Sequence, residues 1–180
     1  MIVMETDRLI LRWFAADDAP FILTLLNEPG WIRFIGDRGV DSIETAAAYI
    51  ETKLIASYRQ HGFGLYAMQL KEAETTIGMC GLVKRDGLDD VDIGFALLAA
   101  YEGRGYAKEA ANATLNYARD THKLHRLVAI TNEDNISSIK LLEYIGMAFE
   151  KTIILPGDNK ALKYYAIELI NQDFSSNNAD

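Results

Sequence analysis

The sequence predicts one α/β (α+β) domain, a mixed and mostly antiparallel sheet flanked by helices, and three observations predict it. The chain has 180 residues, 49% hydrophobic and 24% charged, a size at which one core buries roughly 70% of the surface that the unfolded chain exposes. Apolar residues recur with period two in a central block and again near the C-terminus, as in half-buried strands. Before and between these blocks lie segments with apolar residues three and four apart, opened by Asp, Ser or Asn and closed by Gly, the punctuation of helices. No repeat and no Pro/Gly/Ser-rich linker divides the chain. Residues 1–170 therefore read as a single domain and 171–180, ending in SSNNAD, as a disordered tail.

Taken in order, residues 8–14 (RLILRWF) read as a strand, and Asp17 and Asp18 offer an N-cap to a helix reaching Asn27. Residues 28–41 (EPGWIRFIGDRGVD) read as an irregular loop, and Ser42 with Thr45 opens a second helix that ends before Gly62. FGLYAMQL, TTIGMCGLV and DVDIGFALL form a three-stranded antiparallel meander, with an Asp-Gly hairpin signal in RDGLDD. Residues 105–120 are helical, and Ala107, Ala110, Ala111, Thr114 and Ala118 give one face of small side chains that can lie close to a sheet. A strand (HRLVAIT), a helix from Asn135 to Tyr144 stopped by Gly146, and a hairpin of MAFEKTIIL with ALKYYAIEL complete the order β α α β β β α β α β β.

Composition excludes several classes of function. Cys80 is the only cysteine, which removes an intramolecular disulfide and a cysteine-based zinc site. His61 stands alone, and His122 and His125 fall where a helix gives way to a strand, so no metal is expected. No run approaches the roughly 20 apolar residues of a membrane span, and MIVMETDRLILR lacks the basic-then-apolar order of a signal peptide. The expectation is a cytoplasmic protein without a membrane partner. A net charge of −8 and a pI near 4.9 disfavour a nucleic-acid partner held through its phosphates and mildly favour cationic ligands.

The chemically informative stretch is the strand Asp92-Ile93-Gly94-Phe95-Ala96-Leu97-Leu98 followed by Tyr101-Glu102-Gly103-Arg104-Gly105-Tyr106-Ala107-Lys108-Glu109-Ala110. A glycine-bearing turn that opens a helix gathers backbone N–H groups without intrahelical partners at the positive end of the helix dipole. Gly103 and Gly105 let an anion approach the backbone, and Arg104 and Lys108 add positive charge, so a pyrophosphate would fit. Gly-x-Gly before a helix is equally compatible with a plain tight turn, and Arg104 and Lys108 with a solvated helix face. A dinucleotide fold would need glycine where Lys108 stands and an early first strand, and a P-loop would need Gly-Lys-Ser/Thr; neither pattern is present.

DIGFALL with YEGRGYAKEA resembles the acyl-CoA signature of the GNAT acetyltransferases. TDRLILR, WIRFIG and NEDNISSIKLLEYIGMAFE resemble the branch of ribosomal-protein N-terminal acetyltransferases (RimJ/RimL type). The resemblance spans about residues 5 to 170. It implies a GNAT-like domain with a splay between the fourth and fifth main strands, 92–98 and 126–131. It also implies acetyl-CoA as co-substrate, held by the amides of the helix-opening turn. The family form of that turn, Arg/Gln-x-x-Gly-x-Gly/Ala, maps onto Glu102, Gly103, Arg104, Gly105, Tyr106 and Ala107, with Lys108 following. Glu102 departs from it, and its carboxylate must turn to solvent or pair with Arg104 or Lys108.

The resemblance further implies that the pantetheine arm pairs with the backbone at Phe95, Ala96 and Leu97, and that an N–H near Phe95 polarises the thioester carbonyl. Alternation puts Asp92 on one face with Gly94, Ala96 and Leu98. Asp92 matches a position often occupied by glutamate in similar sequences, where it would take a proton from the amine; it would equally serve as a hairpin-end cap. Asn135 and Ser138 match the family's Asn-x-x-Ser. Asn135 is an N-cap by type and in similar proteins also contacts the pantetheine. Many relatives carry a tyrosine seven positions on to protonate the thiolate, but Leu142 stands there, and Tyr144 lies about 200° around the helix from it. Ser138 is then the candidate partner of the CoA sulfur, or a first-turn serine bonding backbone.

On the acceptor side the residues are the 29–41 loop, with Trp31 and Phe34 as pocket walls, and the C-terminal hairpin, where Tyr165 or Tyr164 reaches the cleft. The implied reaction is direct acetyl transfer to a primary amine, in a peptide or a small molecule, by a monomer or homodimer. Cys80, mid-strand and without a histidine partner nearby in sequence, reads as a buried structural thiol. With reference pKa values near 7.8 for an α-amine and 10.4 for lysine, roughly 15% of the first and under about 0.1% of the second is neutral at pH 7. A weak base such as Asp92 therefore suits an N-terminal amine. The alternatives are a small cationic amine as acceptor, or an acyl-CoA-binding module without turnover.

Overall fold

A computed structural model describes residues 1–169; the tail expected at 171–180 lies outside the described residues. The first strand is a ribbon of two, β1 (Ile2–Glu5) and β2 (Leu9–Arg12). Its turn is closed by Thr6, whose N–H donates to the Leu9 carbonyl at 2.9 Å and whose Oγ1 accepts from the Leu9 N–H at 3.0 Å. Four residues without clean alternation hide β1 from a pattern search. Helix α1 (Ala19–Leu26) follows, but Asp18 makes no side-chain cap for it. Its carboxylate instead takes Arg12 at 2.8 and 2.7 Å and the Ala15 N–H at 2.9 Å.

The segment expected as a loop contains α2 (Pro29–Phe34), with Pro29 in the first turn, where a missing N–H costs nothing. Ser42 caps α3 (Ile43–Tyr49) as expected, its Oγ accepting the Thr45 N–H at 3.2 Å. The helix then runs through a π-helical stretch, Ile50–Ile55, into α4 (Ala56–His61), and Gly62 stops it at φ +76°. Strands β3 (Leu65–Leu70), β4 (Thr76–Val83) and β5 (Asp92–Leu97) make the antiparallel meander. Then come α5 (Tyr106–Asp120), β6 (Arg126–Thr131), α6 (Ile136–Tyr144), β7 (Ala148–Ile154) and β8 (Ala161–Glu168). The sheet order is β1-β2-β3-β4-β5-β6-β8-β7, so β8 rather than β7 lies beside β6. No helix among the described residues is long and apolar enough to cross a membrane.

Helices α5 and α6 cover one face. Ala110, Ala111, Thr114 and Ala118 are fully buried, and the Thr114 hydroxyl lies 3.4 Å from the Cys80 sulfur. Leu82, Ile93, Leu127, Ala129 and Tyr165 pack with Leu141 and Leu142 on this side. The first four helices pack against β2 to β4, with Ile22, Leu25, Ile50 and Leu54 at the centre of a second cluster.

One irregularity shapes the function. Parallel strands β5 and β6 pair only at Asp92 opposite Val128, where the Val128 N–H donates to the Val91 carbonyl at 3.1 Å. Backbone groups of a strand alternate in direction. Phe95 and Leu97 therefore point their N–H and C=O groups the same way as Val91, whereas Leu98 points toward β4 and donates to Ile77 at 2.9 Å. Beyond Asp92 the sixth strand has diverged, and those groups face a wedge-shaped gap.

Candidate active site

At the open end of the gap the chain turns from β5 into α5. Gly103 and Gly105 have φ of +73° and +83°, the left-handed region that glycine occupies without strain. Alternating these with Arg104 turns successive amides to one side, the geometry of an anion nest. The N–H groups from Gly103 through Lys108 find no acceptor among the described residues. Arg104 and Lys108 lie over aromatic rings, 5.7 Å from Tyr101 and 4.0 Å from Tyr144. Neither forms an ion pair among the described residues, so both charges remain open to an anion. Glu102 is exposed and pairs with neither cation.

Across the mouth, Asn135 caps α6 by accepting the Ser138 N–H at 3.2 Å. The half-buried Ser138 hydroxyl has no partner among the described residues. Helix α2 closes this end through two long-range bonds, Asn132 Nδ2 to the Phe34 carbonyl at 2.6 Å and Arg33 to Asp134 at 2.9 Å. Leu142 is 1% exposed and belongs to the core under α6.

Asp92 stands at the closed end of the wedge, 1% exposed. Arg85 donates Nε and Nη2 to its Oδ2 at 3.2 and 3.1 Å, while Oδ1 is buried without a partner. Burial pushes this carboxyl above the usual aspartate range, and the Arg85 charge opposes part of that shift. Burial also raises the Tyr49 hydroxyl, and Arg38 and Arg85 pull against it. Arg85 thus acts on both Asp92 and Tyr49. Arg85 lay in a stretch that reads only as a hairpin turn; its opposite charge, seven residues from Asp92 across that hairpin, was the available signal.

Two of the expected acceptor residues are corrected. Trp31 is 6% exposed and packs in the cluster of the first helices, so it supports α2 from beneath instead of walling a pocket. Tyr165 lies opposite Ala129 on the α5–α6 face, 2% exposed and edge-on to Phe149 at 5.8 Å. The tyrosine on the face of Asp92 is Tyr164, by its register with Ile130. Phe34 is half-buried, with the Arg33 guanidinium 4.8 Å over its ring. Cys80 is fully buried, and desolvation pushes its thiol up to about 12, as expected of an inert structural cysteine.

The sheet thus splits between parallel strands β5 and β6 beyond Asp92, and a turn with two left-handed glycines stands at the mouth of the wedge. The chain matches the family described as acetyltransferase (GNAT) domain over residues 8–148, well over half its length, and it belongs to that family. It is 29% identical over 155 residues to an uncharacterized N-acetyltransferase, YoaA, of Bacillus subtilis, covering 85% of each chain. Among solved structures it is similar to an acetyltransferase from Agrobacterium tumefaciens, with 27% identity, a TM-score of 0.78 and coverage of 93% and 95% of the two chains. RimL, a ribosomal L7/L12 α-N-protein acetyltransferase, shares the fold at a TM-score of 0.78 and 16% identity, with 93% and 94% covered.

Proposed function

We propose that this protein is an acetyl-CoA-dependent N-acetyltransferase that transfers acetyl directly to a primary amine, with a peptide or protein N-terminal α-amine as the favoured acceptor. The observation that carries this reading is the wedge itself: unpaired amides from Gly103 to Lys108 at its mouth and a buried carboxylate, Asp92, at its apex. The residues fit the donor. The turn from Glu102 to Lys108 supplies amides and two cations for the pyrophosphate, while Phe95 and Leu97 present backbone groups to the pantetheine beside Ala96. Asn135 lines the opposite wall. Bound acetyl-CoA supplies an activated thioester. Asp92 Oδ1, free of Arg85, accepts the amine proton, and the Phe95 N–H faces the position of a developing oxyanion. The Ser138 hydroxyl, without another partner among the described residues, would donate a hydrogen bond to the departing sulfur.

The RimJ/RimL-type resemblance and the modest basicity of Asp92 support an α-amine. A polycationic small molecule suits the overall charge of −8 but meets Arg85 paired with Asp92, which disfavours it. Thiol release from acetyl-CoA against a panel of N-terminal peptides, lysine peptides and polyamines tests the assignment. Release with the peptides and little with polyamines is the expected result. Binding of acetyl-CoA without release across the whole panel would instead favour a module without turnover.

Two substitutions test the roles. Because the Asp92 carboxyl titrates above the ordinary range, its base form is lost, and the rate falls, at a higher pH than an exposed aspartate would give. Asp92→Asn should cut kcat by about 10²-fold or more and erase that acidic limb; a variant with the limb unchanged removes Asp92 from the mechanism. Ser138→Ala should lower kcat about tenfold while leaving acetyl-CoA affinity within about twofold, since the Asn135 cap bonds the backbone N–H and survives. Unaltered turnover excludes the hydroxyl.

A further inference from the structure

We propose that Arg8, delivered by the N-terminal ribbon, is a positioning residue of the acyl-CoA site, holding the Arg104–Gly105 peptide so that the Gly105 N–H faces the pyrophosphate; the proposal rests on the acetyl-CoA reading above. Arg8 lies 96 residues from the turn in sequence, yet its Nη1 donates to the Arg104 carbonyl at 3.0 Å. Its guanidinium stacks 4.5 Å over the Tyr106 ring. Nη2 lies 3.4 Å from where a Cβ on Gly105 would stand, contact distance, so the guanidinium lies directly against this peptide. In a trans peptide the carbonyl and the following N–H point in opposite directions. A donor that fixes the Arg104 oxygen on one side therefore fixes the Gly105 N–H on the other.

The clamp is itself held. Glu109, in the first turn of α5, accepts the Arg8 Nε at 2.7 Å, the Arg8 N–H at 2.8 Å and the Thr6 hydroxyl at 2.5 Å. Partial burial works against the Glu109 charge, but the bonds from Thr6 and Arg8 outweigh it and hold the carboxyl below its usual range. The carboxylate occupies the Nε edge of the guanidinium and leaves Nη1 to the turn. Planarity and a fixed fork are what the geometry uses, and lysine offers neither.

Calorimetric titration of wild type, Arg8→Ala, Arg8→Lys and Glu109→Gln with CoA, and with pantetheine as a phosphate-free probe, tests the proposal. Arg8→Ala should weaken CoA about tenfold to thirtyfold and pantetheine less than about twofold. Its KM for acetyl-CoA should rise with kcat within about threefold of wild type. Arg8→Lys should recover little of the loss, and Glu109→Gln, nearly isosteric, should fall between. If Arg8→Ala does not fold, Glu109→Gln carries the same comparison. CoA affinity unchanged in the folded variants, or CoA and pantetheine weakened alike, overturns the proposal while leaving acetyl-CoA binding in place. A wild-type protein that binds no CoA overturns both.

Discussion

Gly105→Val is expected to weaken acetyl-CoA binding by at least about 100-fold, equivalent to about 2.8 kcal/mol, in a protein that still folds. Gly105 sits at φ +83° and ψ 0° as the residue before α5. A β-branched side chain in that region is a steric outlier, so valine drives φ negative. The rotation turns the Gly105 and Tyr106 amides out of the group that converges on the anion, and several charge-assisted bonds are lost together. Gly103→Ala should do less. Its φ of +73° strains alanine, but nothing stands within 4 Å of the new Cβ. Calorimetry with acetyl-CoA and a far-ultraviolet dichroism spectrum decide the matter: a folded Gly105→Val protein binding within about threefold of wild type would contradict the nest.

Features set by local chemistry were legible in the sequence, and those set by distant contacts were not. Ser42 with Thr45, Gly62, Gly105 and Gly146 act on their own turns, and each helix boundary they announce is found within a residue or two. Helix α2 has six residues, too few to declare itself by periodicity. What seats it is a pair of bonds to Asn132 and Asp134, 98 and 101 residues away. Alternation shows that Tyr164 and Tyr165 face opposite ways, but only the register with β6 shows which shares a face with Asp92. The position of Asp92 on its strand was readable. That Arg85 holds one of its oxygens while the other goes unpartnered was not, because the pairing depends on how the β4–β5 connection folds back. The wedge between β5 and β6 came from family resemblance, since divergence of two parallel strands leaves no mark in apolar periodicity.

Gly78→Ala is expected to close part of that wedge. Gly78 lies opposite Leu97, and a Cβ there would stand 2.4 Å from the Ala96 carbonyl oxygen and 3.1 Å from the Leu97 Cα. The obstructing atoms are backbone, so no rotamer change relieves the overlap; β5 must move off β4 at its C-terminal end. Leu98 is tied to Ile77 at 2.9 Å just beyond, which concentrates the strain at Ala96 and Leu97. The only space is on the other side, in the gap toward β6, where the Phe95 and Leu97 backbone groups face the pantetheine in the proposed complex. Overpacking of this kind costs about 1–3 kcal/mol, or roughly 2–4 °C in Tm per kcal/mol at this chain length. The distinguishing effect is on the donor: pantetheine and CoA affinities should fall together, by about tenfold or more, because the arm and not the phosphate loses its seat. Gly30→Ala is the matched control, within α2 and with nothing inside 4 Å of the new methyl, and should leave both affinity and Tm near wild type. If Gly78→Ala binds pantetheine as wild type does, then β5 does not owe its departure from β6 to the missing side chain on β4.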